Sequence, residues 1–197
     1  MVMARRLAST REAYGKTLVE LGHENPDIVV LDADLSKSTR TNLFAARFPQ
    51  RFFDCGVAEQ NMVGISAGLA ASGKIVFASS FAVFATARCF DQLRVSVAQP
   101  RLNVKIVATH GGVTVGEDGF SHHAIEDLAL ACSLPGFAVV VPADAVETAE
   151  VIRAASVTPG PFYIRLSRPD TPVVLSLIHI SEPTRPLYIS YAVFCLK

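Results

Sequence analysis

Residues 52–73, FFDCGVAEQNMVGISAGLAASG, constrain the fold more than any other stretch of this chain. A short apolar strand opens it, Cys55-Gly56 makes a turn, and a helix rich in small residues follows. Gly64, Ala67, Gly68 and Ala71 recur at three- and four-residue spacing, so one helical face carries almost no side chain and another backbone can approach it closely. Glu59 falls in the first turn of that helix, near the positive end of its dipole. Two readings stand at this point: a solvated carboxylate that favours the helix start, or a buried carboxylate that handles a proton.

The same strand–helix alternation runs along the chain. Ser9-Thr10-Arg11-Glu12 has the capping-box pattern, and Ala13, Leu18 and Leu21 continue it as an amphipathic helix. Residues 28–31 form a continuous apolar run of the kind covered on both faces of a sheet. A polar loop over 36–41 and a short helix through Phe44 and Phe48 come next. Residues 74–78 read as strand, 81–98 as a Phe-rich helix and 103–109 as strand. A glycine-containing loop runs over 110–123, followed by helix 124–132 and strand 137–141. Asp144, with Glu147 three residues on, caps a further helix, and 162–166 is the last strand. This order predicts an α/β fold, a three-layer, mainly parallel sheet with helices on both faces. In such sheets ligands sit beyond the carboxyl ends of the strands, which places Asp34, Asp54, Ser79, His110 and Ser167 on one rim.

The 197 residues are half apolar and carry zero formal net charge, which gives no nucleic-acid footprint and no patch for acidic lipid. The first six residues are too short and polar for a signal peptide, and no apolar run is long enough to span a bilayer. The four cysteines show no metal-like pairing and read as reduced thiols of a cytoplasmic protein.

Taken by themselves, His110, His122 and His123 on a glycine-rich loop fit either exposed residues or a metal site. Phe81 and Phe84 fit helix core or an aromatic wall, Arg168 fits a surface ion pair or a phosphate grip, and Asp34 fits a loop cap. Five motifs in order decide among these: DADLSKSTRTN at 32–42, GVAEQNMVGISAGLA at 56–70, SSFAVFATARCFDQLR at 79–94, ATHGGVTVGEDGFSHHAIEDLAL at 108–130 and YIRLSRPDTP at 163–172. Together they resemble the pyrimidine-binding domain of transketolase over residues 10–174, with 1–9 as an N-terminal extension. A start near the beginning of that domain looks most like the separate C-terminal subunit of a split transketolase.

The resemblance implies the thiamine diphosphate-binding fold and its chemistry. It makes Glu59 the carboxylate that hydrogen-bonds N1′ of the cofactor's aminopyrimidine, a task that suits a desolvated acid. It places Phe81 and Phe84 around that ring and leaves the wall at Ala87, where some relatives have an aromatic residue, more open or filled from elsewhere. It gives His110 and His122 contacts to substrate oxygens and proton transfers, and it gives Asp118 a substrate hydroxyl. Arg168 and Ser38 take the sugar phosphate, and Asp34 lies near cofactor and subunit interface; His123 receives no role. The Gly-Asp-Gly motif and Asn that bind diphosphate and Mg²⁺ or Ca²⁺ in this family do not occur in this sequence. An N-terminal partner subunit is therefore expected to hold both, in a hetero-oligomer with a homodimeric core, acting on sugar phosphates. A 1-deoxyxylulose-5-phosphate synthase is the nearest enzyme alternative, against which HHAIEDLA at 122–129 looks more like transketolase. The beta chain of a 2-oxo acid dehydrogenase matches more weakly, and a non-catalytic, partner-binding role is the alternative outside enzymes.

The last 23 residues, from Leu175, break the alternation. LSLIHI back-translates as CTG TCT CTT ATA CAC ATC, which resembles a transposase end used in sequencing libraries, and ISYAVFCL resembles an outer adapter. The expectation is that residues 175–197 are adapter read-through and not a domain.

Overall fold

The computed structural model describes residues 6–175, so the adapter reading of the tail lies outside the described residues except at Leu175. Short strand β1 (Leu7–Ala8) leads into α1 (Thr10–Glu24), β2 (Ile28–Asp32), α2 (Ser36–Thr39), α3 (Asn42–Arg47) and β3 (Phe52–Asp54). Then come α4 (Glu59–Ala71), β4 (Ile75–Phe81), α5 (Ala82–Ala87), α6 (Phe90–Gln92), β5 (Val104–Thr109), α7 (Asp127–Ser133), β6 (Ala138–Val140), α8 (Ala145–Val157), β7 (Phe162–Arg165) and β8 (Thr171–Pro172).

Six strands form one sheet in the order β3-β2-β4-β5-β7-β6, and every neighbouring pair in it is parallel. Parallel neighbours need crossover segments, and the helices between the strands supply them on both faces. Alternation along each strand divides the core accordingly. Ile28, Val30, Phe77, Val107 and Ile164 pack with Tyr14, Leu18, Phe44 and Ile152 on the face of α1, α3 and α8. Val29, Leu31, Val76, Ala78, Ile106 and Tyr163 pack with Met62, Val63, Ala85, Leu93 and Ala131 on the face of α4, α5 and α7. Three layers with a doubly covered sheet are what the unbroken apolar runs require. The caps are also in place. Ser9 Oγ accepts from Glu12 N–H, and Asp144 Oδ1 accepts from the N–H groups of Val146 and Glu147.

Four features depart from the sequence expectations. The loop at 36–41 contains a helical turn, because the buried Asp32 carboxylate gathers donors from Leu35 N–H (2.6 Å), Thr39 Oγ1 (2.7 Å) and Thr41 Oγ1 (2.8 Å) and winds the chain around itself. The helix expected over 81–98 starts one residue later, since Phe81 ends β4, and breaks at Arg88 and Cys89. There Thr86 Oγ1 and Cys89 Sγ each bond a carbonyl four residues back, and the chain resumes as a wide π-turn over Leu93–Ala98. The helix expected from Ala124 begins only at Asp127, because Ala124 spends its backbone on an antiparallel bridge to Gly112. Finally, β1 and β8 pair antiparallel, Leu7 opposite Pro172 and Ala8 opposite Thr171, so the folded unit reaches back to Leu7. Two-residue strands are too short to leave a period in the sequence.

Candidate functional site

Glu59 opens α4 behind a tight turn in which Gly56 adopts φ 67° and donates its N–H to Asp54 Oδ1. The residue is 4% exposed, which decides between the two readings of this carboxylate in favour of the buried one. Its ion-pair partner is Arg88, whose Nη1 lies 3.0 Å from Glu59 Oε1. The small-residue face of α4 behaves differently from expectation. Ala67 is buried, but Gly64, Gly68 and Ala71 face outward, and a Cβ added at either glycine would meet no atom within 4 Å. No backbone of the described chain approaches that face.

Beyond the ends of β4 and β5 lies an aromatic cluster. Phe81 and Phe84 stack at 6.0 Å between centroids, and the His110 ring stacks on Phe81 at 3.8 Å. His122 meets Phe84 edge-on at 5.1 Å and Phe81 at 6.2 Å. Arg88 joins this wall to Glu59, its guanidinium carbon 3.9 Å from the Phe84 centroid. Ala87 is exposed.

His110 is 3% exposed and holds φ 60°, a left-handed backbone that a non-glycine residue keeps only where its surroundings fix it. Its Nδ1 shares a hydrogen bond with Thr109 Oγ1 at 2.8 Å. Burial, reinforced by Arg11 and Arg168, lowers its pKa from 6.5 to about 4, so the ring is neutral at physiological pH. The unfolded chain takes up a proton near pH 6.5 that the folded chain refuses until about pH 4, so stability is fully present above that window and falls as pH drops through it. Urea unfolding between pH 7 and pH 4 should show a loss of roughly 1–3 kcal/mol that His110→Gln flattens.

A polar group flanks the histidines. Arg168 pairs with Asp118 at 3.7 Å and donates to the carbonyl of Val115. Arg11 Nη1 donates to the carbonyl of Ser38 at 2.8 Å and Nη2 to that of Arg168 at 2.9 Å. Helix α1 therefore draws the Ser38 turn and the strand-end Arg168 together. Asp34 is exposed at φ 63°, its N–H bonded to Asp54 Oδ1.

The structure thus brings Phe81, Phe84, His110 and His122 into one cluster, and Ser38, Asp118 and Arg168 into a neighbouring one. Arg11 and Arg88 escaped the sequence reading, the first because it sits inside a capping pattern and the second because nothing local marks it. Arg165 and Asp127 escaped as well, although they support the histidine loop from beneath. Among the described residues, no group of three or more His, Cys, Asp or Glu side chains could hold a metal ion. No helix among them is long and apolar enough to cross a membrane.

Comparison with known proteins agrees with this fold. Residues 7–173 match the family model for transketolase, pyrimidine binding domain. A chain described as a transketolase C-terminal section from Methanocaldococcus jannaschii is 55% identical over 164 residues, covering 83% of this chain and 52% of that one. One subunit of an apulose-4-phosphate transketolase from Phocaeicola vulgatus is 40% identical over 172 residues, covering 87% of this chain and 55% of that one. A solved structure of a split-gene transketolase, described as an inactive beta4 tetramer, superposes with a TM-score of 0.77 at 59% identity, covering 85% of this chain and 54% of that one. The chain spans about half the length of these relatives. With its six-stranded parallel sheet and a family match along nearly all of its described length, the chain belongs to the transketolase pyrimidine-binding domain family.

Proposed function

We propose that this chain is the pyrimidine-binding half of a split, thiamine diphosphate-dependent transketolase that moves a two-carbon ketol unit between ketose and aldose phosphates. The observation that carries the reading is the buried carboxylate of Glu59 beside the Phe81–Phe84 wall. A planar ring with both an aromatic face and a ring nitrogen fits that donor set: the phenyl groups take its face and the carboxyl group its nitrogen. When bound, thiamine diphosphate supplies the nucleophilic carbon and the electron sink.

This chain's residues have separable tasks around it. Glu59 holds or shares a proton at its carboxylate oxygen, shielded from water by burial. His110 is neutral at working pH, so its ring offers a hydrogen bond to a substrate hydroxyl without carrying charge; His122 faces the same wall. Asp118 accepts from a hydroxyl of the sugar. Arg168 and Arg11, permanently charged, bind the phosphate together with Ser38, and Arg11 bridges the Ser38 and Arg168 carbonyls. Asp34, exposed at the rim, is free to meet the cofactor or the partner chain.

The diphosphate and its Mg²⁺ or Ca²⁺ belong to an N-terminal partner subunit, with the cofactor between the two chains. The outward face of Gly64 and Gly68 and the exposed Val57, Phe120 and Ile125 are surfaces that such an assembly covers. A beta4 tetramer described as inactive in a split-gene relative agrees with a chain that needs a second kind of subunit. The free thiols of Cys55 and Cys89 agree with a cytoplasmic setting. The test is to co-express the chain with a diphosphate-binding partner and supply thiamine diphosphate and Mg²⁺. Ketol transfer from a ketose phosphate to an aldose phosphate is the expected result. Condensation that requires pyruvate would move the assignment to the deoxyxylulose-phosphate synthase class.

A further inference from the structure

We propose that Arg88 is a displaceable stand-in for the cofactor ring, seated on Glu59 until the cofactor arrives; this rests on the cofactor reading given above. The guanidinium is a flat, N–H-bearing group. It makes in the chain alone the two contacts that an aminopyrimidine needs. One nitrogen lies 3.0 Å from Glu59 Oε1, and the central carbon lies 3.9 Å from the centroid of Phe84. A ring nitrogen on the same carboxylate oxygen and a ring face on the same phenyl group cannot coexist with the arginine there.

Burial identifies which partner moves. The Glu59 side chain is 5% exposed and the Arg88 side chain 48% exposed. Glu59 is carried by the continuous helix α4, whereas Arg88 lies at the break between α5 and α6. The main chain at that break stays pinned, because the Arg88 carbonyl accepts from Gln60 Nε2 at 2.9 Å. Only the arginine side chain has to leave, and the exposed Ala87 beside it leaves room to swing outward.

The contact serves the cofactor-free state. A carboxylate taken out of water needs a partner, and Arg88 provides one without occupying the site permanently. The cofactor then binds a chain whose competent state is only partly populated, and its apparent affinity is lowered by that fraction.

The test uses the full chain assembled with its diphosphate-binding partner, titrated calorimetrically with thiamine diphosphate in the presence of Mg²⁺. Arg88→Ala should bind the cofactor about 3- to 10-fold more tightly than the wild type. The same variant should unfold at a lower temperature without cofactor and match the wild type when saturated. Arg88→Met, which keeps an apolar stem over Phe84 and removes the charge, should behave in the same way and serves if the alanine variant folds poorly. Unchanged or weaker binding, or an equal loss of thermal stability with and without cofactor, would make Arg88 a permanent brace and overturn the proposal. If the wild-type assembly binds no thiamine diphosphate, the cofactor reading itself fails and takes this one with it.

Discussion

Glu59→Gln in the assembled enzyme should lower the turnover of ketol transfer by about 10²- to 10⁴-fold, the range typical of removing a positioned proton-handling group. The substitution keeps the shape and the hydrogen-bonding reach of the side chain but removes the acid–base chemistry. Steady-state rates with a ketose phosphate donor and an aldose phosphate acceptor measure the effect. Assembly with the partner, followed by size-exclusion chromatography, should persist, because Glu59 is 4% exposed and presents almost no surface to a second chain. Folding should survive too. The amide needs no counter-ion, and Arg88 is exposed enough to be solvated once released. Unchanged turnover would remove Glu59 from the chemistry and leave it a structural acid paired with Arg88.

What the sequence disclosed and what it hid divide along a physical line. Period and punctuation act over a few residues, so they were legible. The apolar run at 28–31, the cap at Ser9 and the cap at Asp144 all stand in the structure as their residues require. Element edges failed where a side chain or a distant backbone intervened. Asp32 wound a loop into a helical turn, and the Gly112–Ala124 bridge delayed α7. Contacts between arginines and their targets were not legible, because Arg88 lies 29 residues from Glu59 and Arg11 lies 157 residues from Arg168. Nothing in the local pattern of either arginine says where its long side chain ends. The named site residues came through resemblance. The structure groups Phe81, Phe84, His110 and His122 independently of it, because the parallel register brings the ends of β4 and β5 side by side, Phe81 opposite Thr109.

The loop that carries His110 has its own support, and removing that support should be costly. Arg165, at the end of β7, is 19% exposed in its side chain and forms an ion pair with Asp127 Oδ2 at 3.0 Å. The same oxygen accepts from the buried Tyr163 hydroxyl at 2.7 Å, and Arg165 Nη2 donates to the carbonyl of Ala124 at 3.2 Å. The guanidinium runs directly under Gly111, where an added Cβ would lie 2.1 Å from Arg165 Nε, so only glycine admits this approach. Asp127 thus balances the cation beneath the start and end of the segment from His110 to Ala124, which Arg168 holds at Val115 and Asp118. Asp127→Ala leaves a largely buried guanidinium without its counter-charge and a buried phenol without its acceptor, and should destabilise the chain by about 3–5 kcal/mol, the cost of breaking a buried pair from one side. Asp127→Asn keeps an acceptor for Tyr163 and should lose clearly less. Urea unfolding of the two variants measures the difference. A loss below about 1 kcal/mol for the alanine variant would put the pair in the range of solvated surface bridges and deny it the supporting role. The asparagine variant should also loosen the His110 ring from Phe81, because that stacking at 3.8 Å is made by a residue next to Gly111, under which the Arg165 guanidinium runs.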